Sequence, residues 1–221
     1  MTVESNLSNA QVYATQRNPF NYAKIEQINR DIATSWLTLE EITQQINNWD
    51  DESQDTYLES LELAVRMAIE DYLGCSIFPV TYRVYYPYMF AGANAVYLDL
   101  PEVSMGYQGA SPLTINSVQY YADNSPVLTT VSSTDYYYDN SGNRVVVKSL
   151  PQPLSQTIAN PIVVTYTLNQ NFIAQYPVVK QAGLLLFTHL YNNRSNTTDL
   201  SLREIPFGIQ QLLRPYKPLV M

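Results

Sequence analysis

The longest amphipathic pattern in the chain runs from about Gln54 to Leu73. Its apolar residues recur every three or four positions, which is the spacing of one face of an α-helix. The stripe consists of Leu58, Leu61, Val65, Ala68, Ile69 and Tyr72. Gly74 follows at the position where many helices end in a left-handed conformation. The pattern therefore predicts a helix over 54–73.

A shorter helix is predicted just before it, over 38–49. Thr38 and Glu41 form an S/T-x-x-E capping box, in which each side chain satisfies an unpaired amide of the first helical turn. An apolar face follows, made of Leu39, Ile42, Ile46 and Trp49.

The start of the chain is polar and has no clear period. We expect residues 1 to about 20 to form a mobile arm. Within the arm region 1–36, the apolar residues Tyr22, Ile25, Ile28 and Ile32 follow one another at steps of three and four, which indicates a short helix.

From Ile77 to about Leu168 the period changes to two, which is typical of β-strands. Five segments rich in Tyr, Val, Ile and Thr carry it: "TYRVYYPY", "AVYLDL", "LTINSVQYYAD", "DYYYDNSGNRVVVK" and "IVVTYTL". The piece "DNSGN" predicts a hairpin turn, because Asn and Gly tolerate positive φ. We expect a Tyr-rich antiparallel β-subdomain over 77–168.

The helical period returns at Pro177, a residue that suits the first turn of a helix. A helix over 177–193 is predicted, apolar almost all round and therefore buried. A short tail helix follows Pro206. The fold class is therefore α+β, with an N-terminal helix pair, the β-subdomain, a buried C-terminal helix and a short docking helix. The expected divisions are 1–36, 37–204 and 205–221.

Composition and charge limit the classes of function. The net charge of -8 disfavours binding to a phosphate backbone, which depends on Lys and Arg. The single cysteine, Cys75, excludes an intramolecular disulfide, and no Cys/His spacing suits a metal. The chain begins without a signal-peptide pattern and contains no apolar run long enough to cross a membrane. These features are compatible with a reducing cytoplasm, and we expect a protein with no cofactor, no metal and no membrane contact.

The only histidine, His189, is the first candidate for catalysis. A catalytic histidine needs a nucleophile or metal and an orienting carboxylate, and no such motif accompanies it. We interpret His189 as a structural residue near the C-terminus of its helix, where a partly cationic ring is favoured. The neighbouring acids Glu40 and Glu41, like the cluster Asp50 to Glu52, are interpreted as helix-start residues rather than as a general acid and base.

The two helical ends of the chain carry opposite charges. Leu37 to Leu73 holds ten acidic residues and one base, Arg66, whereas Val178 to Met221 holds five bases and two acids. Opposite patches on one molecule suit head-to-tail contacts that close into rings, and two solvated faces are the alternative.

The order of these segments resembles the head-tail connector, or adaptor, proteins of tailed bacteriophages, the gp6-like family. The resemblance rests on "LTLEEITQQI", "LELAVRMAIEDYLGCSI", "INSVQYYAD", "IVVTYTL", "PVVKQAGLLLFTHLYNNR" and "IPFGIQQLLRPYK". It covers Leu37 to about Tyr216, and residues 82–109 and the N-terminal arm have no counterpart in it.

The resemblance implies a non-enzymatic ring of about twelve copies at the virion neck. The ring would join the portal protein to a stopper or tail terminator, and DNA would pass through it without specific binding. Asp50, Asp51, Glu52 and Asp55 would line the channel or contact the next copy. The portal contacts implied for the C-terminal tail are Ile205, Pro206, Phe207, Ile209, Leu212, Leu213, Arg214, Tyr216 and Lys217.

Two alternatives stay open. The 19 tyrosines, many of them in predicted strands, could form a platform for sugars in an adhesion module of a phage tail. Packing between strands is the interpretation that we favour for them. A hydrolase that uses His189 is the weakest of the three hypotheses.

Overall fold

The computed structural model describes most of the chain and confirms the α+β fold class. It divides into a sheet unit (1–29, 81–103 and 113–168) and a helical unit (30–80, 104–112 and 169–221). The predicted domain boundaries at 36 and 204 stay predictions. The described residues are 21–48, 52–87, 95–101, 113–123, 125–150, 153–169, 176–193 and 207–217.

Eight strands and four α-helices form in the described residues. The strands are β1 Lys24–Arg30, β2 Val80–Tyr86, β3 Val96–Asp99, β4 Leu113–Tyr121, β5 Leu128–Thr130, β6 Tyr136–Asp139, β7 Arg144–Val147 and β8 Ile162–Leu168. The helices are α1 Leu39–Ile46, α2 Asp55–Leu73, α3 Pro177–Asn192 and α4 Phe207–Leu213. Short 3₁₀ turns at Glu52–Gln54 and Arg214–Tyr216 adjoin α2 and α4.

The helical unit is held together by the apolar stripes that the sequence predicts. All four helices contribute to one core, with Leu58 and Ile69 of α2 fully buried beside Phe187 of α3. The predicted helices 38–49, 54–73 and 177–193 are confirmed, with ends within three residues of those predicted.

Local chemistry fixes where these helices begin and end. The Thr38 hydroxyl accepts the Glu41 amide at 3.2 Å, and the Glu41 carboxylate accepts the Thr38 amide at 2.9 Å, so the capping box is confirmed. Gly74 ends α2 with φ of 70°, a conformation that costs a residue with a Cβ about 1 kcal/mol or more. Pro177 occupies the first turn of α3.

The strands of the predicted antiparallel β-subdomain form two sheets in the sheet unit. The larger has the strand order β1-β2-β8-β4-β5, and β4 pairs antiparallel with both β8 and β5. A register shift between Ile115 and Ser117 interrupts the β4 ladder. Strand β8 is central and its residues are mostly buried, which explains its nearly continuous apolar sequence "IVVTYTL".

The smaller sheet has the order β3-β7-β6, and both pairings are antiparallel. The predicted "DNSGN" turn joins β6 to β7 and is confirmed. Asn143, with φ of 49°, adopts the positive φ there. Because Asn tolerates this conformation better than most residues, the turn closes at low cost.

The short helix predicted within 1–36 is wrong, because Lys24–Arg30 forms the edge strand β1. Ile25 and Ile28 are 40% and 43% exposed, so they do not form one buried helical face. Pairing with β2 overrides the weak local period. The predicted mobile arm, residues 1 to about 20, lies outside the described residues.

Candidate interaction surfaces

The predicted docking tail is partly a core element. Ile209 is 5% exposed and Leu213 is fully buried in the core of the helical unit, while Leu212 and Tyr216 are half-buried against it. Arg214 and Lys217 are exposed. Ile205, Pro206 and the side chain of Phe207 lie outside the described residues. Portal docking by this tail stays a prediction, and Arg214 and Lys217 are the charged side chains that it leaves available.

An apolar groove lies in the same unit, and one of its lining residues, Leu212, precedes Arg214 by two positions in the sequence. It has a volume of about 320 Å³ and is lined by Pro177, Val178, Gln181 and Leu212. The groove belongs to the helical unit, where the first turn of α3 meets the end of α4. Sequence periodicity could not predict it, because its walls come from segments about 30 residues apart.

Aromatic rings support the cationic edge of the groove. Tyr216 lies between the two cations in the sequence, and its ring centre is 5.3 Å from that of Tyr176, which is 49% exposed. The Lys217 ammonium lies 5.1 Å from the centre of the Tyr72 ring. Such cation–π contacts hold a charge in place without neutralising it.

The predicted acidic contact is only partly described. Asp50 and Asp51 lie outside the described residues. Glu52 is exposed in the 3₁₀ turn before α2, and Asp55 is half-buried in the first helical turn. Glu59, which the sequence analysis did not single out, is exposed one turn further along. Within the described residues these three carboxylates form no ion pair.

Two of the ten acids in the acidic region serve the core instead of the surface. Glu62 is 3% exposed, and its Oε1 accepts the amides of Trp36 at 2.9 Å and Leu37 at 3.2 Å. Glu70 is 5% exposed, accepts the Ile77 amide at 2.8 Å and pairs with Arg30.

Arg66 lies between these two carboxylates on α2 and is fully buried. Its Nη1 and Nη2 atoms donate to the carbonyl oxygens of Thr34 and Asp31, both at 2.6 Å. Burial lowers the pKa of Arg66, and the charge of Glu62 opposes that effect. These three side chains of α2 therefore hold two other segments in place. Glu62 and Arg66 bind the backbone just before α1, and Glu70 binds the amide of Ile77.

The exposed face of the smaller sheet carries two tyrosines. Tyr97 and Tyr137 are both opposite Val146 in register, and they are 49% and 51% exposed. Two strand spacings separate them by roughly 10 Å. Arg144 lies 5.0 Å from the Tyr97 ring and Lys148 lies 6.0 Å from the Tyr137 ring. This face has the aromatic and arginine composition common in protein interfaces.

The three consecutive tyrosines Tyr136 to Tyr138 are divided between the two faces of this sheet. Tyr138 lies on the opposite face from Tyr137 and donates its hydroxyl to Asn143 Oδ1 at 3.1 Å. Burial, and then the charge of Asp139, raise the pKa of Tyr138 to about 12. Hydrogen bonds from Ser141 and then Arg144 hold the pKa of Asp139 below its usual value. Only one of the three rings is therefore well exposed as a stacking platform.

His189 lies half-buried in the last turn of α3, where it was predicted. Its carbonyl oxygen accepts the Asn193 amide at 3.2 Å and the Asn193 Nδ2 at 2.7 Å. Across the described ranges, no group of three or more His, Cys, Asp or Glu side chains is placed to hold a metal ion. None of the helices in the described part of the chain is long and apolar enough to cross a membrane.

Comparison with known proteins gives matches in structure only. No protein-family model matches the chain, and neither does any curated protein. A chain from a structure described as "Virion of native gene transfer agent (GTA) particle" is 17% identical with a TM-score of 0.59. A chain from "Neck of empty GTA particle computed with C6 symmetry" is 16% identical with a TM-score of 0.60.

A third chain, from "Neck of native GTA particle computed with C12 symmetry", is 15% identical with a TM-score of 0.57. Each likeness covers 90% of this chain and 97% of the other. At these identities the likeness establishes a shared fold, and it extends over nearly the whole of both chains.

Proposed function

We propose that the chain is a structural protein of the neck of a tailed phage or phage-like particle. The observation that carries the proposal is the fold shared over 90% of this chain with chains from structures of GTA particles, two of which are described as necks. Nearly the whole length of the other chains is matched, so the likeness does not rest on one common substructure.

The proposed assembly is a ring of about twelve copies. One neck structure is described with C12 symmetry and another with C6 symmetry, and a twelvefold ring also obeys sixfold symmetry. A ring requires two different patches on each copy, since the contact between neighbours is head-to-tail. The exposed acids at the start of α2 and the exposed cations after α4 supply two unlike patches on the helical unit.

The proposed role of the ring is to join the portal protein to a stopper or tail terminator and to continue the DNA channel. A chain with a net charge of -8 would not bind passing DNA through its backbone phosphates. The role is one of assembly rather than catalysis, and the chain would enter particles from the host cytoplasm.

Removing the gene for the chain tests this role. Without the joining ring, we expect DNA-filled heads and separate tails to accumulate, and expression of the wild-type chain in trans should restore joined particles. Electron microscopy counts the three species. Normal numbers of joined particles without the chain would refute the proposal.

The same preparations test the sugar-binding alternative. An adhesion module would leave heads and tails joined but would lower attachment to cells, and the Tyr137→Ala variant would reproduce that loss. Under the proposed neck role, Tyr137→Ala particles attach normally.

A further inference from the structure

Two surfaces at opposite ends of the helical unit are complementary in charge and polarity. The first, the cationic groove, consists of the apolar groove lined by Pro177, Val178, Gln181 and Leu212 together with the exposed Arg214 and Lys217. The second, the acidic end, consists of Glu52, Asp55, Tyr57 and Glu59 at the start of α2.

The acidic end combines carboxylates with an aromatic ring. Tyr57 is 37% exposed, and Asp55 and Glu59 lie two residues before and after it. Helical side chains lean toward the N-terminus of their helix, so these groups project toward the start of α2. Asp55 and Glu59 are also like charges at i and i+4, a spacing at which they repel. An external cation would relieve that repulsion.

The cationic groove has the converse character. Val178 is 37% exposed and Tyr176 is 49% exposed, so apolar surface at the first turn of α3 is left open to solvent. Within the described residues, neither Arg214 nor Lys217 forms an ion pair. Asp71 is exposed in the last turn of α2, the same turn as the Tyr72 ring beneath Lys217. Of the described residues named at this end, the exposed cations Arg214 and Lys217 therefore outnumber the exposed acid Asp71.

The two surfaces are too far apart to meet within one chain. Tyr57 contacts Tyr191 in the last turn of α3, with ring centres 6.4 Å apart, whereas the groove lies at the first turn of α3. The 16 residues of α3 span about 22 Å at 1.5 Å per residue. Among the described residues, neither surface can therefore cover the other within one chain, and unlike surfaces at opposite ends of one unit suit a head-to-tail contact between copies.

We propose that the cationic groove binds the acidic end of a second copy of this chain. Tyr57 of one copy enters the groove of the next, while Asp55 and Glu59 meet Arg214 and Lys217. The inference deepens the proposed function, on which it rests, by naming the contact that repeats around the ring. In this arrangement Arg214 and Lys217 contact the neighbouring copy, whereas the family resemblance implies that they contact the portal.

Cross-linking in assembled particles tests the contact directly. The double variant Glu59→Cys/Lys217→Cys is treated with a short bismaleimide, and each single variant serves as a control. Within one chain the two positions are about 20 Å apart, because Lys217 lies over Tyr72 and 13 residues of α2 separate Tyr72 from Glu59. A reagent that reaches less than half that distance joins only different copies. The native Cys75 is buried.

We expect the double variant to give a ladder of multimers on a denaturing gel, and the single variants to give monomers. Monomers from the double variant, with the chain present at the neck, would overturn the inference and leave the proposed function standing. A cross-link from position 217 to a different protein would overturn it in favour of the portal. Absence of the wild-type chain from particles would refute both.

Charge reversal provides an independent measurement. Lys217→Glu places like charges opposite one another, which should lower the yield of joined particles by about tenfold or more. Adding Glu59→Lys restores the opposite signs and should recover the yield. Lys24→Glu, the same charge change at an exposed site of the sheet unit where the lysine makes a surface ion pair with Glu26, is the matched control and should assemble normally. Normal assembly of Lys217→Glu, or no recovery in the double variant, would contradict the contact.

Discussion

The buried carboxylate of Glu62 gives the sharpest test of how the helical unit is held together. Replacing Glu62 with Ala removes the acceptor of two buried amides, those of Trp36 and Leu37. A buried donor left without a partner costs about 1–3 kcal/mol. Arg66 also loses a nearby negative charge while it stays buried. We therefore expect Glu62→Ala to lower the free energy of unfolding by about 3–5 kcal/mol.

Urea unfolding followed by tryptophan fluorescence measures this loss in the helical unit, because Trp36 is buried in its core. With a slope of about 2 kcal/mol per molar urea, the midpoint should fall by about 1.5–2.5 M. Glu59→Ala is the matched control, one turn earlier on the same helix but exposed, and it should change the stability by less than about 0.5 kcal/mol. Glu62→Gln keeps an acceptor oxygen and should fall between the two.

Equal midpoints for Glu62→Ala and Glu59→Ala would refute the reasoning. They would mean that the two amides find other acceptors at little cost, and that the buried carboxylate does not fasten the segment before α1.

Three further predictions concern single contacts. In Gly183→Ala the new Cβ would lie 2.7 Å from Trp36 Cζ3. The overpacking cost of about 1–3 kcal/mol should exceed the gain of about 1 kcal/mol in helix propensity, so we expect a lower melting temperature. An unchanged or higher melting temperature would count against this packing. Desolvation raises the pKa of Glu41, but the hydrogen bond from Lys180 and the capping amide outweigh it, so the net pKa is lowered. Stabilisation by this carboxylate is present above pH 4.5 and is lost as the pH falls through its lowered pKa. The melting temperatures of wild type and Glu41→Gln should therefore differ at pH 7 and converge near pH 3. A difference that stays constant with pH would refute this role of the Glu41 carboxylate. Because Asn143 has a positive φ, Asn143→Val should lower the free energy of unfolding by about 1–2 kcal/mol, whereas Asn143→Gly should be tolerated. Urea unfolding followed by circular dichroism measures both. Equal stabilities of the two variants would contradict the backbone strain.

Helix positions were predictable because local rules determine them. The capping box at Thr38 and Glu41, the left-handed Gly74 and the first-turn Pro177 each act within a few residues of their own position. The apolar stripe of α2 is regular over five turns, which leaves no competing period. These signals need no knowledge of the rest of the chain.

Strand β1 shows where local rules fail. The steps of three and four among Ile25, Ile28 and Ile32 fit a helix, but two of these side chains are about 40% exposed in an edge strand and Ile32 is 62% exposed. The conformation follows from hydrogen bonding to β2, which lies some 55 residues later in the sequence. The division of the β-subdomain into two sheets also depends on such distant pairing.

The candidate surfaces were predictable in charge but not in shape. In the sequence, the ten acids of Leu37 to Leu73 form one charged region. Glu62 and Glu70 nevertheless lie in the core, because their partners, which include Trp36 and Arg30, are 26 and 40 residues away in the sequence. Ile209 belongs to the core for a similar reason, since α4 packs against α3. Deleting the whole tail would therefore damage the helical unit, so point variants of the exposed cations are better tests of docking.

We propose that this chain is a component of the particle neck. Gold-labelled antibodies against the chain, applied to purified particles and viewed by electron microscopy, measure its position directly. For a neck protein, we expect label between head and tail on joined particles. Label at the tail tip, or particles free of the chain, would contradict it.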